Sequence, residues 1–211
     1  MAKEIFDRGC RACPRLAGFL DEVNSRYPDY YCRPVPPFGD GSARLLIVGL
    51  APGMHGANRT GRPFTGDHAG ILLYETLHRY GFSSKAESLS ADDGLTLHDC
   101  RITNAVKCLP PDNKPVGAEI NTCNRFLANE LDTLEPGSIV LALGGIAHRA
   151  VVKARGLRQA DCKFAHAADH DLGRWRMLDS YHCSRYNTNT GRLTPAMFDA
   201  VFAKARGMLD K

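Results

Sequence analysis

Several protein classes are excluded by what the sequence lacks. No apolar run approaches the ~20 residues that a membrane-spanning helix needs, and residues 1–13 contain no apolar stretch of a secretory signal. The glycine turn Gly49–Gly53 has neither the Gly-Lys-Ser/Thr ending of a phosphate-binding loop nor the GxGxxG spacing of a dinucleotide site. Ser184 is not flanked by the Gly-x-Ser-x-Gly pattern of a serine hydrolase. We therefore expect a cytoplasmic protein outside these classes.

A strong excess of one charge is also missing. The chain has 27 basic and 23 acidic residues and is 44% hydrophobic, which is typical of a globular protein rather than a disordered one, so we expect one domain over residues 1–211. The stretch from Arg149 to Lys211 holds 12 of the basic and 6 of the acidic residues, and therefore carries the positive excess. Such a stretch suits a polyanionic partner, although a solvated basic face is the simpler explanation on charge alone.

The chain has eight cysteines, an even number. A chain of this size does not need disulfides for stability, so clustered cysteines indicate metal binding or catalysis. Cys10 and Cys13 have chelate spacing, and 14 residues separate Cys108 from Cys123. Four such thiolates hold either zinc or a [4Fe–4S] cluster, and the spacing alone does not distinguish these. The expected buried, unliganded thiols are Cys32, Cys100 and Cys162.

Four apolar runs that end in turn residues are typical of buried parallel strands. These runs are Arg44–Leu50, Arg101–Val106, Ser138–Leu143 and Arg174–Tyr181. Helical patterns occupy Leu16–Arg26, Gly70–Tyr80, Val116–Leu134, Gly145–Ala154 and Pro195–Leu209, and Pro34–Asp40 has the composition of a loop. This alternation predicts a three-layer α/β/α sandwich around a four-stranded parallel sheet.

Each predicted strand ends in residues of the kinds that form binding or catalytic sites. The first runs into Gly49–Gly53, the second ends near Asn104, the third in Gly144-Gly145 and the fourth in His182-Cys183-Ser184. Ligands of open α/β sheets bind beyond the carboxyl ends of the strands, so these residues predict one crevice.

Two residues in the loop after Gly53 each allow two interpretations. Phe64 either stacks on a planar ligand or anchors the loop in the core. Asp67 either orients a water molecule or caps the helix that follows. His182, similarly, either donates a hydrogen bond to developing negative charge or belongs to a structural network.

Taken together, the motifs resemble the uracil-DNA glycosylase superfamily, in its iron–sulfur families 4 and 5. They are Gly49-Leu50-Ala51-Pro52-Gly53, Arg62-Pro63-Phe64-Thr65-Gly66-Asp67, Asn104-Ala105-Val106-Lys107-Cys108 and His182-Cys183-Ser184. They occur in family order over nearly the whole chain, from Cys10 to about Leu209. Leu50, where family 4 has an acidic residue, and the runs His55–Gly61 and Asn187–Thr194 are more similar to family 5.

The resemblance implies a monomeric enzyme of base excision repair that flips uracil, and other deaminated bases, out of DNA and hydrolyses the N-glycosidic bond. It implies Asp67 and His182 as catalytic residues. It implies base contacts from Gly49, Ala51, Gly53, Phe64 and Asn104. It implies DNA contacts from Asn58, Arg59, Ser184, Arg185, Tyr186 and Asn187.

The resemblance also implies that Cys10, Cys13, Cys108 and Cys123 hold a structural [4Fe–4S] cluster. Cys183 departs from the family pattern, which usually has proline after the histidine. An alternative function stays open at this point: a non-catalytic iron–sulfur or zinc protein that binds nucleic acid, because Leu50 supplies no carboxylate in the first motif.

Overall fold

The computed structural model describes residues 4–211, whose six strands form one sheet. The strands are β1 (Phe38–Gly39), β2 (Leu45–Gly49), β3 (Cys100–Asn104), β4 (Ile139–Leu143), β5 (Asp169–Asp171) and β6 (Arg176–Ser180). Their order across the sheet is β1-β3-β2-β4-β6-β5. The central four are parallel to one another, which confirms the predicted parallel core, and the two outer strands are antiparallel.

The two outer strands were not predicted. β1 lies within Pro34–Asp40, which the composition assigned to a loop, and its two residues pair with β3 through Phe38 and Ile102. β5 consists of the polar tripeptide Asp169–Asp171 and so carries no apolar pattern. Both strands form because neighbouring backbone offers them partners, a tertiary effect that local sequence does not report.

Seven α-helices surround the sheet in the described residues. They are α1 (Pro14–Arg26), α2 (Ala57–Thr60), α3 (His68–Arg79), α4 (Gly117–Leu131), α5 (Gly145–Ala154), α6 (Arg185–Asn189) and α7 (Pro195–Leu209). The five long helices were predicted, with shifts of up to three residues at their ends. α7 begins as expected, because the Thr194 hydroxyl accepts a hydrogen bond from the Met197 amide at 3.2 Å. The short helices α2 and α6 span about one turn each and lack a detectable pattern.

The helices form a layer on each face of the sheet, as the predicted three-layer sandwich requires. Along β2, Leu45 and Ile47 face the core beneath α3 and α7, whereas Leu46 and Val48 face the core beneath α4 and α5. All four side chains are fully buried. Because both faces are covered, we expect a ligand to bind at the edge where the parallel strands end.

A buried polar network ties α5 to the carboxyl end of β6. The Asp179 carboxylate lies 2.8 Å from His148 Nδ1 and 2.9 Å from His170 Nε2, and His148 Nε2 lies 2.7 Å from the Cys162 carbonyl oxygen. Both ring nitrogens of His148 therefore have partners. Asp179 precedes His182 by three residues, so this network fixes the strand end from which His182 projects.

No helix within residues 4–211 is both long and apolar enough to cross a membrane.

Candidate active site and cysteine centre

The carboxyl ends of the parallel strands open into a cavity of about 1110 Å³. This volume exceeds the ~300–1,000 Å³ of most small-molecule pockets, so the cavity has room for a nucleotide with part of its chain. Six of the predicted catalytic and base-binding residues line it: Ala51, Gly53, Phe64, Asp67, Asn104 and His182. The predicted crevice is therefore present, although Gly144 and Gly145 are not among its lining residues.

The side chain of Asn104 lies at the floor of the cavity, at the end of β3. It is 3% exposed, and its Oδ1 atom is buried without a hydrogen-bond partner among residues 4–211. Gly49 lies next to it on β2, and a Cβ there would overlap Asn104 Oδ1 and approach the Phe64 ring to 2.7 Å. Glycine is therefore required at this point. An unpaired buried amide oxygen is costly, so Asn104 is prepared to accept a hydrogen bond from a ligand.

Phe64 anchors its loop in the core, one of its two predicted roles, and its ring also faces the cavity. Its side chain is 6% exposed and packs in the core beneath α3, yet it also lines the cavity. Its backbone has a φ of 53°, a left-handed conformation that a bulky residue adopts only when its surroundings hold it there. The ring lies 5.9 Å from that of His182, with 28° between the ring planes. The ring is thus held on one side of the cavity.

His182 lines the cavity beyond the end of β6. Desolvation by burial lowers the pKa of its imidazole to about 4, so the ring is neutral at physiological pH. The backbone around it is fixed, because Asn187 Nδ2 donates to the His182 carbonyl at 2.8 Å and Gly144 leaves room for the His182 Cβ. A neutral imidazole can donate one hydrogen bond to a developing anion without adding a charge to the site.

Asp67 has the capping role that was one of its two predicted roles, and it also lines the cavity. As the N-cap of α3, its Oδ1 accepts a hydrogen bond from the Gly70 amide at 2.9 Å. Its other oxygen, Oδ2, lies near Gly53 and Gly56, and the residue lines the cavity. Burial raises the pKa of this carboxyl, although the amides of Gly70 and Ala69 partly oppose the shift. A carboxylate held in this way can orient a water molecule and accept its proton.

The predicted DNA-binding residues divide into three groups by position. Arg59 and Arg185 are exposed at the cavity, and Tyr186 is 72% exposed beside them. Ser184 caps α6 by accepting from the Asn187 amide at 3.4 Å. The prediction of DNA contact for Asn58 needs correction, because this side chain has no exposed surface and its Nδ2 lies 3.4 Å from Cys32 Sγ.

The four cysteines implied as metal ligands come together although they are distant in sequence. All four line one small cavity between the start of α1, the loop after β3 and α4: Cys10, Cys13, Cys108 and Cys123. Backbone and side-chain donors face their sulfurs, since the Lys107 amide lies 3.3 Å from Cys123 Sγ and an Arg125 guanidinium nitrogen lies 3.9 Å from Cys10 Sγ. Such N–H···S contacts are a normal outer shell of metal-bound thiolates.

Without a bound cation, the thiols of this centre keep their protons. Burial and the neighbouring thiols raise the pKa of Cys108 to about 12, and burial also raises the pKa of Cys13 and of Cys123. Crowded thiols of this kind release their protons when a metal ion binds to the sulfurs. The remaining cysteines are free thiols, and Cys32, Cys100 and Cys162 are buried as predicted.

Arg62, to which sequence analysis gave a place in a motif but no role, lies behind the loops that line the cavity. Arg62 is 4% exposed and pairs with Asp93 at 2.6 Å, and the same guanidinium donates to Ser88 Oγ at 2.8 Å and to the Ser90 carbonyl. Ser88 in turn accepts from the Gly66 amide through its carbonyl at 3.0 Å. The Arg62 side chain therefore links the Phe64 loop to the chain between α3 and β3. No local pattern marks Asp93 as its partner.

Comparison with known proteins agrees with this geometry. Residues 36–206 match the model of the uracil DNA glycosylase superfamily. The chain is 49% identical over 203 residues to a type-5 uracil-DNA glycosylase of Thermus thermophilus, covering 93% of this chain and 92% of that protein. The chain belongs to the uracil-DNA glycosylase superfamily. A type-5 enzyme of Pyrobaculum aerophilum is 44% identical over 200 residues, covering 93% and 87% of the two chains.

Type-4 uracil-DNA glycosylases are less similar to this chain. One from Archaeoglobus fulgidus is 29% identical over 178 residues, which cover 82% of this chain and 75% of that protein. The predicted order, with family 5 first and family 4 next, is therefore confirmed.

Cys183 departs from the proline that usually follows the histidine in this superfamily. Its side chain is fully buried in the core beneath α3 and α7, and within residues 4–211 its amide donates to no other residue. A proline there removes no hydrogen bond, so we expect Cys183→Pro to keep uracil release within about threefold of the unchanged protein. Initial rates on uracil-containing DNA test this. A loss of activity in a folded variant would assign Cys183 a role of its own.

Proposed function

We propose that the protein is a monofunctional DNA glycosylase that removes uracil, and other deaminated bases, from DNA by base flipping. The observation that carries this proposal is the unpaired Oδ1 of Asn104 at the floor of a cavity whose walls hold Phe64, Asp67 and His182. The type-5 uracil-DNA glycosylases that match almost the whole chain support the substrate class.

The base is recognised through its face and its Watson–Crick edge. Phe64 stacks on the flipped base, and Asn104 Oδ1 accepts a hydrogen bond from the ring N–H that uracil presents. Gly49 keeps the space between them open, and the backbone around Ala51 and Gly53 contacts a base oxygen or the adjacent phosphate. The large cavity, about 1110 Å³, supports a range of deaminated bases that includes purines such as hypoxanthine.

The chemical step breaks the bond between the base and C1′ of the deoxyribose. The bonding electron pair leaves with the base, and neutral His182 donates a hydrogen bond to the base oxygen on which negative charge accumulates. Asp67 orients a water molecule toward C1′ and takes the proton that the water loses as its oxygen bonds to C1′. The products are an abasic site and a base anion, which then takes up a proton.

DNA binds across the rim of the cavity. Arg59 and Arg185 are exposed there and pair with phosphates, so binding weakens with added salt. Tyr186, with Arg185, fills the space that the flipped nucleotide leaves in the stack. Ser184 and Asn187 act by shaping the turn that presents these two residues.

The four cysteines Cys10, Cys13, Cys108 and Cys123 hold a [4Fe–4S] cluster in this proposal. All four line one small cavity, and their positions match the cluster ligands of the iron–sulfur families that the chain resembles, which favours the cluster over a single zinc ion. Its function is to tie α1 to the loop after β3.

Replacing one cluster ligand tests this assignment. We expect Cys13→Ser to lose most of its iron and inorganic sulfide, whereas Cys100→Ser, which removes a buried thiol elsewhere, keeps the ~4 iron atoms per chain of the unchanged protein. Elemental analysis of protein purified without oxygen gives both values. Zinc in place of iron, or full iron in Cys13→Ser, would contradict the cluster.

We further propose that the chain acts as a monomeric single domain in the cytoplasm.

A duplex with one uracil opposite guanine, end-labelled and treated with alkali after incubation, tests the proposed reaction. We expect strand cleavage at uracil and none at thymine opposite guanine, with His182→Ala as an inactive control that still binds. The alternative, a nucleic-acid-binding protein without catalysis, predicts binding in a mobility assay and no cleavage of any deaminated base. That result would overturn the proposal.

A further inference from the structure

Two aliphatic side chains lie exposed at the mouth of the active-site cavity. Ile71 on α3 is 63% exposed, and Leu89 in the loop between α3 and β3 is 66% exposed; both line the cavity. With Tyr186 they are the three most exposed large apolar residues among those described. Single exposed apolar residues are ordinary, but a group around one cavity indicates a contact surface.

The loop that carries Leu89 is held rigidly. The Leu89 amide donates to Asp93 Oδ2 at 3.0 Å, and Asp93 itself pairs with the buried Arg62. On the preceding residue, the Ser88 hydroxyl lies 2.7 Å from Thr65 Oγ1. A loop fixed by buried polar groups on both sides of Leu89 presents that side chain in one position, so its exposure is not the result of a loose loop.

The surroundings of Leu89 indicate what packs on it. Glu87 lies exposed on the same loop and also lines the cavity, so a phosphate at this point would be repelled. The apolar parts of DNA are the faces of its bases and the edges of its sugars, and a base face becomes accessible where a neighbouring nucleotide leaves the stack.

The aliphatic pair and the Tyr186 side chain belong to one continuous rim. His68 at the start of α3 lies with its Nε2 atom 3.1 Å from Thr188 Oγ1 of α6, which joins the helix of Ile71 to the helix of Tyr186. DNA that places a nucleotide in the cavity therefore meets apolar side chains from both helices.

We propose that Leu89, supported by Ile71, is a second DNA-inserting side chain, which packs against the base stack next to the flipped nucleotide and keeps the duplex open. This inference rests on the proposed glycosylase function. Because only a duplex has to be opened, Leu89 contributes to the cleavage of double-stranded DNA and not to the cleavage of single strands.

Leu89→Ala tests the inference, with Leu157→Ala as its control. Leu157 is 41% exposed and lies outside the cavity lining, so its replacement removes a similar surface side chain from a remote position. Single-turnover rates are measured on one uracil-containing strand, alone and paired so that uracil lies opposite adenine. We expect Leu89→Ala to lower the duplex rate about tenfold at subsaturating enzyme and to leave the single-strand rate unchanged. Leu89→Met restores the duplex rate, and Leu157→Ala changes neither.

A second readout is the fluorescence of 2-aminopurine placed beside the uracil, which reports how much of the uracil is flipped out of the duplex. We expect Leu89→Ala to lower this flipped fraction. An equal loss on both substrates, or no loss on either, would overturn the inference while leaving the glycosylase function intact. If the unchanged protein cleaves neither substrate, the proposed function fails, and the inference fails with it.

Discussion

Asp67→Asn is expected to lower the rate of uracil release about 100-fold or more without lowering the free energy of unfolding. The asparagine oxygen still accepts the hydrogen bond from the Gly70 amide, so the start of α3 keeps its cap. What is lost is the negative charge that orients water and accepts its proton, a contribution of about 10²–10⁴ in rate. Single-turnover rates and denaturant unfolding measure the two effects separately.

The pH dependence of uracil release by the unchanged protein and by Asp67→Asn gives a further test of this assignment. Burial raises the pKa of Asp67 above its ordinary value of 3.8, so activity is lost as pH falls through that raised pKa, and this acid limb is absent in Asp67→Asn. The folded protein holds the Asp67 proton more tightly than the unfolded chain, so ionised Asp67 costs stability above that pKa. The variant is therefore the more stable protein at neutral pH, and its advantage disappears on acidification.

Two results would contradict this assignment for Asp67. One is an unchanged rate in Asp67→Asn, which removes the carboxylate from the mechanism. The other is an equal loss of rate in the control variant Asp161→Asn. Asp161 lies far from Asp67 in the sequence, and its exposed carboxylate pairs with Arg158. Protonation of His182, whose pKa burial lowers to about 4, affects both proteins alike, so the comparison with Asp67→Asn isolates the limb that belongs to Asp67.

Asn104→Ala is expected to lower uracil release by at least about 100-fold, the second large effect. A site built to hydrogen-bond a polar group loses much of its selectivity when that partner is removed. Asn104 Oδ1 makes no hydrogen bond within the described protein, so removing this oxygen breaks no hydrogen bond of the fold. We therefore expect the melting temperature to stay within a few degrees of the unchanged protein.

Asn121→Ala serves as the matched control, because Asn121 lies exposed on α4 and its side-chain oxygen bonds only to Lys153 among the described contacts. Competition with free uracil separates binding from chemistry: Asn104→Ala is expected to lose inhibition by free uracil, and Asn121→Ala to keep it. If Asn104→Ala retained both cleavage and inhibition, the base edge would be read by another residue.

The sequence predicted the parallel core of the sheet because buried parallel strands are continuous apolar runs, as in β2 and β4. It did not predict β1 or β5, whose two and three residues owe their conformation to a neighbouring strand. The cavity residues were found from their position at strand ends together with the family motifs. The link between Arg62 and Asp93 was missed, because an ion pair between residues 31 positions apart leaves no local pattern.

Asn58 shows a different limit of sequence reasoning. It lies in a polar loop next to Arg59, and only the three-dimensional packing determines that the arginine faces the cavity while the asparagine is enclosed. For Phe64 and Asp67, the structure shows the structural role, and the position of each residue at the cavity leaves its functional role a prediction. Each side chain stabilises the loop with one part and faces the cavity with another.

Ala51 belongs to two sites at once: it lines the active-site cavity, and it packs in the group that contains Cys10, Cys13 and Cys108. Val106, in the loop after β3, donates its amide to the Leu50 carbonyl at 3.0 Å. This hydrogen bond joins the loop that carries Cys108 to the same wall. A shift of this shared wall on binding at one site would change the affinity of the other site, and the effect would be equal in both directions. Retention of iron with and without free base therefore measures whether the two sites are coupled.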